Sequence, residues 1–127
     1  MDFLDLLVDC KGLENQEMLF EMANIQKKLT NLPVNVWVDE KGAFRDTPHN
    51  LPRIKFQNNK SNKVVGEGIS ISISEDPKIL IKDYETELNN YEIGQIKNFI
   101  KRNLNILIKH WNQEIDTDEL KQLIKKV

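Results

Sequence analysis

Ile69, Ile71 and Ile73 alternate with Ser70, Ser72 and Ser74, and this alternation constrains the fold more than any other stretch. Side chains change face at every residue of a strand. The segment from Val64 to Ser74 is therefore predicted to be a strand with an isoleucine face in the core and a serine face in water. A sheet with one wet face is characteristic of antiparallel rather than parallel pairing.

Neighbouring segments extend this sheet. Val34, Val36 and Val38 alternate with Asn35 and Trp37, the period of a second strand. Asp39-Glu40-Lys41-Gly42 reads as a turn, with Gly42 open to positive φ, that returns the chain through Ala43 to Arg45. Arg53 to Gln57 reads as another strand, followed by a polar turn from Asn58 to Asn62. Beyond Glu75-Asp76-Pro77 the segment Lys78 to Lys82 is placed to pair back.

Helical periodicity flanks the strands. Met18, Met22, Ile25 and Leu29 recur at steps of four, three and four, which predicts a helix over much of the first thirty residues. Gly12 separates it from a short opening helix, Phe3 to Asp9. Pro33 ends it, because the residue before a proline is pushed out of helical geometry. Asn89 followed by Glu92 resembles a capping box. Ile93, Ile96, Ile100, Leu104, Leu107, Ile108 and Trp111 then form one apolar stripe. Asp116 and Thr117 offer an N-cap for a last helix carrying Leu120, Leu123, Ile124 and Val127. The predicted class is α+β: an N-terminal helix, a central antiparallel sheet of about four to five strands and two C-terminal helices. A chain of 127 residues suits a single domain, 1–127.

Charge is distributed unevenly. The net charge is −2, yet residues 1–25 carry six acids and one lysine, and residues 43–63 carry five cations and one acid. Such asymmetry orients a molecule on a charged partner. Cys10 is the only cysteine, which excludes an internal disulfide and a cysteine-built zinc cage. The acids Asp2, Asp5 and Asp9 interrupt the apolar opening, unlike a secretory signal. No apolar run approaches the roughly 20 residues of a membrane span. A cytoplasmic location without membrane contact is expected.

Enzyme motifs are missing. The five glycines are scattered, so there is no phosphate loop or dinucleotide fingerprint, and the serines of the Ile-Ser repeat are explained as one face of a strand. Cys10, His49 and His110 lie far apart, without metal-ligand spacing. No metal or cofactor is expected.

Two constellations remain. His49 with Arg53 and Lys55 has the residue types of metal-independent RNA cleavage, a proton shuttle beside two phosphate-neutralising cations. Arg53, Lys55, Lys60 and Lys63 also make a basic surface, which Lys97, Lys101, Arg102 and Lys109 extend if the long helix packs beneath the sheet. Phe56 falls on the opposite strand face from Arg53 and Lys55, so base-stacking aromatics do not interleave with the cations. The isoelectric point of 5.7 is also low for a nucleic-acid binder. Trp111 is expected in the core, and Trp37, opposite the valines of its strand, is expected to pack rather than to stand exposed.

His49-Asn50-Leu51-Pro52-Arg53-Ile54-Lys55 resembles the H-N-P-P-H-x-H strand motif of a group of small uncharacterised bacterial proteins. Phe99-Ile100 through His110-Trp111 resembles their helical tail, so the similarity spans residues 34–115. His49, Asn50 and Pro52 match, whereas Arg53 and Lys55 replace two motif histidines, and no role of those histidines carries over. The resemblance implies a small α+β accessory protein, sometimes encoded beside toxin–antitoxin-like neighbours, and implies no reaction.

The expected function is that of a non-catalytic binding protein that inhibits or modulates an intracellular nucleic-acid-handling protein or nucleoprotein. Phage and mobile-element proteins directed against host defence nucleases share this physical profile. The expected contact residues are His49, Asn50, Arg53, Lys55, Lys60, Lys63, Lys101 and Arg102. A direct RNA- or DNA-binding, antitoxin-like regulator is the alternative, and a small metal-independent ribonuclease a second one.

Overall fold

A computed structural model of the chain describes residues 22–39, 51–60 and 68–127. The described elements run β1 (Met22–Ile25), α1 (Lys27–Thr30), β2 (Val36–Asp39), β3 (Arg53–Gln57), β4 (Gly68–Ser72), α2 (Asn90–Arg102), α3 (Leu104–Trp111) and α4 (Thr117–Leu123). The strands form one sheet in the order β1-β2-β3-β4, and every neighbouring pair is antiparallel. This is an α+β architecture. The expected opening helix Phe3 to Asp9, Gly12, Met18 and the strand through Ala43 to Arg45 lie outside the described residues.

The register sorts the side chains onto two faces. Ile25 lies opposite Val36, Val36 opposite Phe56, Phe56 opposite Ile69, and Ile54 opposite Ile71. All of these are buried, and they join Ile93, Ile96, Phe99, Ile100, Leu107 and Leu120 from the helices in one hydrophobic cluster. The other face carries the row Asn24, Trp37, Lys55 and Ser70. That face was expected to be wet. It is instead largely buried: Trp37 is 4% exposed, Lys55 5% and Ser70 8%. Trp37 packs in a small cluster with Met22 and Trp111.

Three expectations are corrected. Met22–Ile25 is a strand and not the middle of a helix. All four of its residues pair with β2, and this pairing outweighs a periodicity that four residues are too few to decide. Lys78 to Lys82 does not form a full strand. One bridge, Ile71 to Ile79, holds it to β4, with Ser72 N–H donating to Lys78 O and Leu80 N–H to Ser70 O, both at 2.9 Å.

The third correction concerns the long C-terminal helix, which is divided. α2 ends at Arg102, Asn103 takes φ −111° and ψ 19°, and α3 restarts at Leu104. The caps are as expected. Asn89 Oδ1 accepts from Glu92 N–H at 2.9 Å, and Glu92 Oε1 accepts from Asn89 N–H at 3.1 Å. Asp116 Oδ1 accepts from Glu119 N–H at 2.7 Å and opens α4.

Candidate cationic cleft

The strand and loop cations are largely taken up by the fold. Lys55 lies between Trp37 and Ser70 on the buried second face, a correction to its expected place on the surface. Arg53 is half-buried and lines a crevice too small for a water molecule, together with Ile73, His110 and Trp111. Lys60 Nζ lies 2.9 Å from Glu92 Oε1, and the Lys60 amide donates to Glu87 Oε2 at 2.9 Å. Lys60 thus pins the turn after β3 to the start of α2. The Lys60 hydrogen bond, aided by the Asn89 amide, holds the Glu92 carboxyl below its ordinary range against a smaller opposing effect of desolvation. His49, Asn50 and Lys63 lie outside the described residues.

Lys101 and Arg102 are different. Both are exposed in the last turn of α2, and neither has an ion-pair partner among the described residues. They line an open cleft of about 360 Å³ with Asn103, Leu104, Asn105, Ile106, Leu123 and Lys125. Lys97 and Lys109, expected to extend this basic surface along one helix, are not among its lining residues. The break at Asn103 ends the continuous helical register that would have aligned them. The third cation is Lys125, which sequence reasoning did not single out.

Asn103 explains how Lys125 arrives. Its side chain is buried, with only 2% of the residue exposed. Asn103 Nδ2 donates to Phe99 O at 2.9 Å and to Lys125 O at 3.0 Å, and Asn103 Oδ1 accepts from Lys125 N–H at 2.8 Å. One carboxamide therefore holds both backbone groups of a residue 22 positions away. The signal was present in the sequence: Asn103 falls on the stripe that runs through Ile96, Ile100 and Leu107. A polar residue at a buried stripe position must find partners.

Two electrostatic effects act at the cleft. Lys101 and Arg102 lie at the negative end of α2, where a cation contributes about 0.3–1 kcal/mol, and this accounts for their placement without any ligand. Lys125 follows Ile124, the C-cap of α4, so it lies at the negative end of a second helix, and the cleft gathers cations from two helix ends. The cleft also includes Leu104, Asn105 and Ile106, the first turn of α3, whose amides precede the first donor of its ladder, Leu107 N–H to Asn103 O at 3.0 Å. Leu104, Ile106 and the half-exposed Leu123 add apolar surface between the charges. The arrangement can neutralise carboxylates or phosphates while covering short apolar side chains.

Among the described residues there is no group of three or more histidine, cysteine or acidic side chains placed to hold a metal, and no helix is long and apolar enough to cross a membrane. Comparison with protein-family models, with curated proteins and with solved structures finds no match to this chain.

Proposed function

We propose that the protein is a non-catalytic binding protein whose cleft takes up an acidic segment of a partner protein. The observation that carries this reading is the delivery of Lys125 to the side of Lys101 and Arg102 by the Asn103 clamp. Gathering three like charges is electrostatically unfavourable unless an anion joins them. The apolar floor favours a segment in which carboxylates alternate with aliphatic side chains. No aromatic side chain is among the described residues of the lining, which weighs against bases stacking there. The ribonuclease alternative needs Arg53 and Lys55 open to a substrate phosphate, and Lys55 is buried. A nucleic-acid-handling protein or nucleoprotein remains the partner class that the charge layout favours, now through an acidic segment of its protein component.

The test uses a labelled short peptide alternating glutamate and leucine, followed by fluorescence anisotropy. Lys101→Glu, Arg102→Glu and Lys125→Glu should each weaken binding by about fivefold, on the order of 1 kcal/mol per exposed pair. Lys78→Glu, at an exposed cation paired with Asp76 at 3.8 Å, should leave binding unchanged. A triple reversal that binds as the parent does refutes the reading. Binding of single-stranded oligothymidine in place of the peptide, with a steep salt dependence, would replace it with nucleic-acid recognition.

A further inference from the structure

We propose that Asn103 is the positioning residue of the cleft: it seats the segment 124–127 so that Lys125 faces Lys101 and Arg102, and occupation of the cleft and docking of that segment stabilise each other. The proposal rests on the cleft being an anion-binding site.

The geometry divides the work between backbone and side chain. Asn103 bonds the amide and the carbonyl of Lys125 at 2.8 and 3.0 Å, so it fixes the main chain of a residue that lines the cleft and makes no bond to its ammonium group. Two residues on, Val127 N–H donates to Thr30 O at 3.1 Å, and Asn31 Nδ2 donates to Val127 O at 2.9 Å. The Asn31 bond is exposed, whereas the Asn103 bonds reach a buried carboxamide. Water competes freely at the first site and less at the second, where the bonds to Lys125 are part-buried, so the Asn103 clamp is the stronger of the two. Ile124 and Val127 pack half-buried against the main hydrophobic cluster. Ile124 N–H closes α4 by donating to Leu120 O at 3.0 Å, whereas Lys125 lies beyond the helix and is held by the clamp. Release of the segment withdraws Lys125, its one residue in the lining, from the cleft. An anion that binds only the docked form must favour docking in proportion to its occupancy.

The experiment is a double-mutant cycle with the glutamate–leucine peptide as probe, read alongside amide hydrogen exchange at Lys125 and Val127. Asn103→Ala and Lys125→Ala should each weaken the peptide by about fivefold, and the double variant should bind no worse than Lys125→Ala alone. The probe should slow exchange of the Lys125 amide in the parent. A merely structural asparagine would give effects that multiply, and that result overturns the proposal. Asn31→Ala loosens the same segment from its exposed end. It should speed Val127 exchange and weaken the peptide by about twofold, and it decides the matter if Asn103→Ala does not fold. Faster exchange with unchanged affinity, in either variant, also overturns the proposal. Failure of the parent to bind the peptide brings down the cleft reading and this proposal together. Binding that is lost on Lys101→Glu but is indifferent to Asn103→Ala brings down this proposal alone.

Discussion

Replacing Asn103 by alanine should cost far more than a typical surface change. Three hydrogen bonds of 2.8–3.0 Å are lost. The Phe99 carbonyl keeps a partner, because the Asn103 backbone amide also donates to it at 3.0 Å. The Lys125 amide and carbonyl do not. Each group left without its bond costs about 1 kcal/mol if it can reach water and up to about 3 kcal/mol if it stays buried. Lys125 is exposed and its bonds to Asn103 are part-buried, so both groups stay near the lower figure and the expected loss is about 2 kcal/mol. With a urea m-value of about 1–3 kcal/mol/M, the unfolding midpoint should fall by about 0.7–2 M. Asn103→Asp should be worse than alanine near neutrality, since an ionised oxygen then faces the carbonyls of Phe99 and Lys125. Burial and those carbonyls favour the protonated acid, which raises the folded-state pKa of the introduced carboxyl above its unfolded value. The penalty is therefore full above the folded pKa and is relieved as pH falls toward the ordinary aspartate range. The aspartate variant should gain on the alanine variant as pH is lowered. An alanine variant that loses less than about 0.5 kcal/mol, within the range of ordinary surface changes, would refute the clamp as a structural element.

Two further outcomes follow from the caps. Glu92 is held below its ordinary value of 4.5 by Lys60 and by the Asn89 amide. Its contribution to stability is present above the unfolded pKa and is lost as pH falls through the lower folded pKa. Thermal unfolding of Glu92→Gln should therefore lie below that of the parent near pH 7, and the difference should shrink below about pH 4; a difference that stays constant with pH contradicts the assignment. Asp116→Ala removes the acceptor for Glu119 N–H at 2.7 Å. The cap is worth about 1 kcal/mol and its loss should lower the melting temperature by about 3–5 °C, as measured by circular dichroism.

Local chemistry was the legible part of the fold. β3 spans Arg53–Gln57 as its alternation predicts, and both capping boxes were visible as an asparagine or aspartate with glutamate three residues on. β1 was not legible, because Met22 and Ile25 are three apart and satisfy a helix as readily as the two ends of a short strand. Only the pairing of Ile25 with Val36 and of Ala23 with Val38 decides between them, and that contact is tertiary. The division of the long helix was hidden for a similar reason. Its apolar stripe resumes in register at Leu104 and Leu107 after the single polar Asn103, while the backbone turns there to φ −111°.

The cations show why sequence density of charge is a poor guide to a binding surface. Alternation tells that β3 has two faces, but not whether the second is covered. Some polar residues of that face are served internally: Gln57 Oε1 accepts from Asn35 Nδ2 at 3.5 Å, and Gln57 Nε2 donates to Asn59 Oδ1 at 2.8 Å, whereas the buried Asn24 Oδ1 has no partner among the described residues. A lysine such as Lys55 reads as surface because lysines are mostly exposed, and here it is 5% exposed. Lys60 is exposed, yet its charge is matched by Glu92. Lys101, Arg102 and Lys125 would not stand out in a count along the chain, since 22 residues separate the Asn103 turn from the residue it recruits. The better indicator was the misfit, an asparagine at a position that helical periodicity reserves for an apolar side chain. Burying a carboxamide there costs free energy unless distant backbone comes to meet it. The residue that answers that need, Lys125, lines the cleft, and this couples the packing of the helices to the electrostatics of the proposed site.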